Sequence, residues 1–201
     1  MKKLIILSCI AVLFINNITS AQGRNLLTAN WDINFPNSDL NDFLHNEDVS
    51  LAGLSFDYRY FVKENVSVGT YFAWDFFNGS SREISNLENA DVSGLKLFYV
   101  NYFPFMLNAH YYLNESENIQ PYLGGGMGAV RSLQRTEVGS VALENNNWHF
   151  GLYPEVGVLI PFSSDGGLSI GAKYNVAFET SDSFTYSYFS INIGITGIFD
   201  Y

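Results

Sequence analysis

Between Leu168 and Glu179 the chain alternates without a break: Leu168, Ile170, Ala172, Tyr174, Val176 and Phe178 interleave with Ser169, Gly171, Lys173, Asn175, Ala177 and Glu179. A period of two sends the two sets to opposite faces of a β-strand. Helical spacing from Leu168 would collect Gly171, Ala172 and Asn175, which make no apolar stripe. The same alternation recurs along the chain. Leu27, Ala29, Trp31, Ile33 and Phe35 oppose Thr28, Asn30, Asp32 and Asn34. Ala52, Leu54, Phe56, Tyr58 and Tyr60 oppose Gly53, Ser55, Asp57 and Arg59. Val66, Val68, Thr70, Phe72, Trp74 and Phe76 oppose Ser67, Gly69, Tyr71, Ala73 and Asp75, and Lys63, Glu64 and Asn65 form the turn before them.

Four further segments complete the pattern. One runs from about Leu95 to Leu113, with Phe103, Phe105, Leu107, Ala109, Tyr111 and Leu113 on one face and Pro104 disturbing its early half. A glycine-rich strand is expected near 122–133. Next, Trp148, Phe150, Leu152, Val156, Val158, Ile160 and Phe162 oppose His149, Gly151, Tyr153, Glu155 and Gly157, with a bulge expected at Pro154. The strand of 168–179 follows, and in the last Phe189, Ile191, Ile193, Ile195, Gly197, Phe199 and Tyr201 oppose Ser190, Asn192, Gly194, Thr196 and Asp200. The count predicts an all-β fold: an eight-stranded antiparallel up-and-down barrel.

Composition narrows where such a barrel lives. With 47% hydrophobic, 16% aromatic and 15% charged residues the chain is no disordered tail. Lys2 and Lys3, the apolar stretch 4–15 and the small residues Thr19, Ser20 and Ala21 predict a secretory signal peptide over 1–21 and a barrel domain over 22–201. The only cysteine, Cys9, lies in that leader, too early for a lipoprotein signal, so the mature chain has no disulfide to stabilise it. No run of about 20 apolar residues follows, which excludes a helical span. Ten basic residues against 20 acidic ones give a net charge of -10 and argue against nucleic acid as a partner.

Two barrels with opposite faces fit this pattern. A soluble lipocalin-like barrel turns its apolar face to a cavity, and a transmembrane barrel turns it to lipid. The small and glycine-rich polar faces, the aromatics Trp31, Tyr58, Tyr60, Trp74, Trp148, Tyr174 and Tyr201 toward strand ends, and the connection lengths favour lipid. Connections near 63–65, 114–118 and 163–167 are short, those near 36–48 and 78–92 are long, 137–147 is intermediate and 180–185 is short. About 11 residues per strand, tilted by about 45°, rise roughly 25 Å, the height of an outer-membrane apolar band. In lipid each backbone N–H and C=O must pair within the sheet, so closure takes over the role of disulfides.

Residues 108–113, Asn-Ala-His-Tyr-Tyr-Leu, and 120–128, Gln-Pro-Tyr-Leu-Gly-Gly-Gly-Met-Gly, give the chain from about 24 to 201 its family likeness. It resembles the porin-like family of small outer-membrane β-barrels, the outer-membrane protein X, W and A-barrel type. The resemblance implies a Gram-negative outer membrane, contact with its lipids and lipopolysaccharide, and insertion by the barrel-assembly machinery. Ile193, Ile195, Phe199 and Tyr201 look like the C-terminal signal that machinery reads. The family motifs assign no activity and imply no cofactor.

Candidate sites are few. Asp57, Arg59, Asp75, Glu155, Lys173 and Glu179 fall on inward faces, where they could line a conduction path or bind a ligand. Eight strands enclose a space that side chains fill, so a paired structural network is the better expectation. A lipid-modifying enzyme would need a histidine beside a nucleophilic serine on the lipid-facing side. His110 and His149 fall on the polar face with no serine two positions away, and His45 lies in a loop. The glycines of 124–128 lack the Lys-Ser or Lys-Thr of a phosphate loop. The acidic residues Asp39, Asp42, Glu47, Asp48, Glu83, Glu88 and Asp91 show no ligand spacing that would fix a divalent ion bridging to lipopolysaccharide. Phe43, Leu44, Ile84 and Leu87 offer apolar contacts in the long loops, whose partner the sequence leaves unidentified. The expected role is therefore non-enzymatic: envelope integrity or surface interaction, with a narrow channel for ions or small apolar molecules as the alternative.

Overall fold

The computed structural model describes residues 23–45, 49–87, 90–113, 119–138, 141–180 and 183–199, with the side chains of 82–94 left aside. Eight antiparallel strands close into a ring in sequence order: β1 (Asn25–Asn37), β2 (Ser50–Lys63), β3 (Val66–Leu87), β4 (Ala90–Tyr112), β5 (Gln120–Val138), β6 (Val141–Ser163), β7 (Gly166–Ala177) and β8 (Tyr186–Phe199). A short helix, α1 (Ser38–Phe43), follows β1. Closure is made by β1 on β8, paired without a gap from Asn25↔Phe199 to Asn37↔Ser187.

The alternation read from the sequence is the alternation of exposure. Along β1, Leu27 and Trp31 are exposed while Thr28, Asn30, Asp32 and Asn34 are buried, and β2, β7, β8 and the parts of the other strands nearer the described chain ends alternate in the same way. Aromatic and aliphatic side chains therefore cover the outside, and the bore is filled by polar side chains together with two apolar clusters. On the outer face the indole N–H groups are satisfied locally: Trp31 donates to the Leu51 carbonyl at 2.7 Å and Trp74 to Asn101 Oδ1 at 3.0 Å. Tyr58 donates to Asn25 Oδ1 at 2.7 Å near the end that carries the described chain ends. An apolar belt with such polar handles at its margins is what a bilayer requires of a β-barrel.

Two expectations are corrected. The stretches near 78–92 and 137–147 are not loops: β3 and β4 pair continuously from Asp75↔Tyr102 to Leu87↔Ala90, and β5 and β6 stay paired up to Val138↔Val141. The 22 and 23 residues of β3 and β4 span about 50 Å along a barrel axis at ordinary tilt, about twice the apolar band. Two hairpins thus stand well beyond the membrane at the end away from the described chain ends, called here the far end. Pro154 makes no bulge either. It keeps register with Gly125, and the shift in β6–β7 falls at Pro161/Ser163 instead.

The far mouth is covered by α1. The Asn37 side chain accepts a hydrogen bond from the Ser38 N–H at 2.8 Å, and the helix turns Leu40 and Leu44, 0% and 1% exposed, onto the mouth. They pack with Phe77, Phe98, Tyr102, Tyr186 and Tyr188 in one apolar cluster. Gly79 on β3 makes this possible, because a Cβ there would stand 2.1 Å from the Leu44 carbonyl oxygen. Gly79→Ala is expected to displace the 38–45 segment at a cost of about 1–3 kcal/mol. Limited proteolysis should then cut that segment while the barrel itself remains resistant.

Candidate functional site

The bore is layered. At the near end Leu26, Phe61, Tyr112, Tyr122, Leu159 and Ile198 form a second buried apolar cluster. Between it and the far cluster lies a band of charged and amide side chains. Its centre is Arg59 on β2. The guanidinium donates to Asp57 Oδ2 through Nη2 at 2.7 Å and Nε at 3.0 Å, and to Glu155 Oε1 at 3.2 Å. It also donates to Tyr112 Oη at 3.1 Å and lies over the Tyr122 ring, 4.4 Å from its centroid. Around this core Asn108 donates to Asp57 Oδ1 at 2.9 Å, Tyr122 to Glu155 Oε1 at 2.9 Å, and His110 Nε2 lies 2.9 Å from Glu155 Oε2.

The glycines of β5 leave room for these groups. A Cβ at Gly124 would meet the His110 ring at 2.3 Å, and one at Gly126 would meet the Tyr153 ring at 2.6 Å. Lys173, 1% exposed, holds its ammonium over Tyr71 at 3.7 Å and beside Tyr153 at 5.2 Å from the ring centroids. A desolvated cation over aromatic faces is a favourable arrangement in a water-poor interior.

A second network lies in the same bore. Asp75 accepts from Asn34 Nδ2 at 2.6 Å and from the Tyr188 hydroxyl at 2.7 Å. Asp32 accepts from Ser55 at 3.0 Å and from Asn192. Ser190 donates to Asn34 Oδ1 at 2.6 Å and accepts from Asn175 at 2.9 Å.

Of the six charged residues read as inward, Asp57, Arg59 and Glu155 meet in one cluster, Lys173 faces Glu155 from the adjacent strand, Asp75 lies in the bore apart from them, and Glu179 is not there. Its position is exposed, two residues beyond the end of β7 at Ala177. Alternation alone could not show where β7 loses its partner. Ile193, Ile195 and Phe199 are exposed on the outer face of β8, and Tyr201 lies outside the described residues. In the distal segments Asp39 and Asp42 are exposed, Glu47, Asp48 and Glu88 lie outside the described residues, and His45 stacks on Phe98 at 4.5 Å.

Sequence reasoning missed Asp32, although its parity matches Asn30 and Asn34, and it missed the buried tyrosines Tyr102, Tyr186 and Tyr188. It also missed a serine–histidine contact, Ser132 Oγ to His149 Nε2 at 2.9 Å, with Nδ1 2.9 Å from the Phe178 carbonyl oxygen. The pair spans adjacent strands, so a search within one strand overlooks it. Both residues are buried inside the bore, away from the lipid-facing surface a lipid-modifying enzyme would use.

Ligand atoms of Asp57, His110 and Glu155 lie within 4.8 Å of one another, a spacing that could hold a metal ion. Here the guanidinium of Arg59 already supplies the cation those carboxylates need, so the trio fits Arg59 better than a metal.

No protein-family model matches the chain. Outer membrane protein AlkL of Ectopseudomonas oleovorans is 33% identical over 98 residues, which is 47% of this chain and 40% of that protein. The match thus spans less than half the length of this curated relative. Among solved structures, Ail of Yersinia pestis superposes with a TM-score of 0.56 at 12% identity, over 89% of this chain and 100% of Ail. OprG from Pseudomonas aeruginosa gives 0.55 at 14% identity, over 89% of this chain and 97% of OprG. The chain has the fold of these small outer-membrane β-barrels. With an apolar exterior around a closed ring of strands, it is an integral outer-membrane barrel.

Proposed function

We propose that this protein is a non-conducting, non-enzymatic barrel that acts from its far face, through hairpins held rigidly above the membrane. The observation that carries this reading is the bore closed at both ends: Leu40 and Leu44 with Phe77, Phe98 and Tyr188 at one, Leu26, Phe61, Leu159 and Ile198 at the other. Between them Arg59, Asp57 and Glu155 cross-link β2 and β6, so the charges brace the wall instead of lining a path. A barrel that is sealed but carries elongated β3–β4 and β5–β6 hairpins has invested its length outside the lipid. Ail, of the same fold, is an attachment invasion locus protein, which supports a surface-contact role for such hairpins.

In this reading residues 1–21 are the export leader and residues 22–201 the barrel domain. Ile193, Ile195, Phe199 and Tyr201 present the outward stripe that the assembly machinery grips, and the apolar belt rests in the outer-membrane lipids with lipopolysaccharide at its far half.

Planar-bilayer recording tests the sealed bore. Folded protein, verified by heat-dependent gel migration, is expected to add no unitary conductance. Steady channel events from the wild-type barrel would overturn the reading in favour of a narrow channel.

A further inference from the structure

The outer wall of the barrel is not uniformly smooth. Phe56, Phe72 and Phe105 pair successively across β2, β3 and β4, and one row nearer the chain ends so do Tyr58, Thr70 and Leu107. All six point outward. Thr70 is the short member between two long neighbours, and beyond it stands a wall of rings, with Phe72 and Phe105 5.0 Å apart. The result is a groove of about 420 Å³. Tyr71 and Met106 border it although their side chains are buried in the bore, so its floor is the strand backbone itself. Tyr58 makes a fixed side, because its hydroxyl is tied to Asn25 Oδ1 at 2.7 Å.

Toward the near margin the same face leads to a cation. Val68 pairs with Ala109, and Lys63, Val66 and Tyr111 pair successively at the margin, on the face of β3 that carries Val68 and Thr70. The strand from Val66 to Thr70 is about 13 Å long, within the roughly 15 Å that half a hydrocarbon core offers a lipid chain. Lys63 and Tyr111 are exposed, and Lys63 makes no ion pair among the described residues. Arg24, the other described cation at this end, is held by Gln120 and lies over the Phe61 ring. Of the described acids at this end, Asp165 is on the β6–β7 turn at the opposite side of the ring, and Glu64 follows Lys63 in its own turn.

We propose that the groove and Lys63 together bind one glycerophospholipid, with its phosphate at Lys63 and Tyr111 and one acyl chain laid past Val68 and Ala109 into the groove over Thr70. Two observations select this occupant. The groove is continuous with the apolar belt that faces the bilayer, so what fills it is hydrocarbon. At the margin of the same face stands an ammonium on a long apolar stem, which can lie along the wall and still present its charge to a phosphate in the headgroup layer. Neither a free phosphate nor a chain without a head uses both parts. With the tall hairpins outside the cell, the near half of the belt borders the phospholipid leaflet. The site rests on the sealed-barrel reading only for that orientation.

The test refolds the full chain in detergent, adds dioleoyl-phosphatidylglycerol, and counts by native mass spectrometry the lipid retained as detergent rises. Wild type is expected to hold one molecule after the rest of the belt lipid has been stripped. Thr70→Trp, which fills the groove, should weaken retention about tenfold, and Lys63→Gln about threefold. Val156→Trp, on the exposed wall of β6, and Glu64→Gln should not weaken it, and glycerol phosphate, a head without chains, should not displace the lipid. Retention of no single lipid by wild type, retention unchanged in Thr70→Trp, or an equal loss in Val156→Trp or Glu64→Gln overturns the proposal and leaves an ordinary lipid annulus. Displacement by glycerol phosphate overturns it by leaving a headgroup site alone, and indifference to Lys63→Gln by leaving a bare apolar groove. If Thr70→Trp does not fold, Lys63→Gln in its exposed turn decides. Conductance is recorded separately, so a silent barrel that retains no lipid removes this site and leaves the sealed bore standing.

Discussion

Replacing Arg59 with methionine will destabilise the barrel by about 3–5 kcal/mol, the largest single effect expected inside the bore. The methionine keeps much of the volume but leaves Asp57 and Glu155 facing each other with their common donor gone. Tyr112 loses its partner too, and Tyr122 loses the cation over its ring. Urea unfolding followed by gel migration measures the loss. Adding Asp57→Asn and Glu155→Gln should recover most of it, because the penalty comes from orphaned carboxylates more than from the missing guanidinium. A cost below about 1 kcal/mol for the single change would mean that the carboxylates are neutralised by something other than Arg59.

Leu107→Arg will cost about 2–4 kcal/mol in a bilayer. Leu107 is 68% exposed, halfway along the outward run from Phe103 to Leu113, so its substituent meets hydrocarbon at depth. Leu95→Arg, on the same face of the same strand but in the part of β4 that rises above the belt, should change stability by no more than about 0.5 kcal/mol. The contrast isolates the solvent. In a water-soluble barrel with this exterior, both positions would accept arginine equally well.

Facing was legible in the sequence because lipid and bore impose opposite demands on successive residues, and a period of two records both. Where the demand lapses, so does the record. Residues 78–87 and 90–94 continue β3 and β4 without apolar alternation in their sequence, so the period that marks the lipid-facing parts gives no signal there. They read as loops for that reason. Glu179 shows the converse: its parity extends that of Lys173, but the β7–β8 ladder ends at Ala177↔Tyr186, so the parity no longer points into the bore.

The polar face could be listed from sequence, but its pairs could not. Arg59 and Glu155 are 96 residues apart, and Asn34 and Ser190 are 156 apart. Which of several inward groups meet depends on stagger between strands, and a slip of one residue would turn each side chain to the other face. Ser132 with His149, and Asp75 with Tyr188, belong to this class of contact. Glycines gave the one usable hint. Gly53, Gly124 and Gly126 stand where neighbours crowd the bore, marking the levels at which large or charged groups gather.

The seam between β1 and β8 has a consequence for biogenesis. The first strand waits for a mate made more than 150 residues later, as in Asn34 and Ser190, so no partial product can satisfy its ladder. A nascent chain truncated before Ile193 carries two raw edges and a greasy flank, the ingredients of aggregation. Escort to the membrane in an unfolded form, followed by late zippering of the ends, is therefore built into the order of its strands.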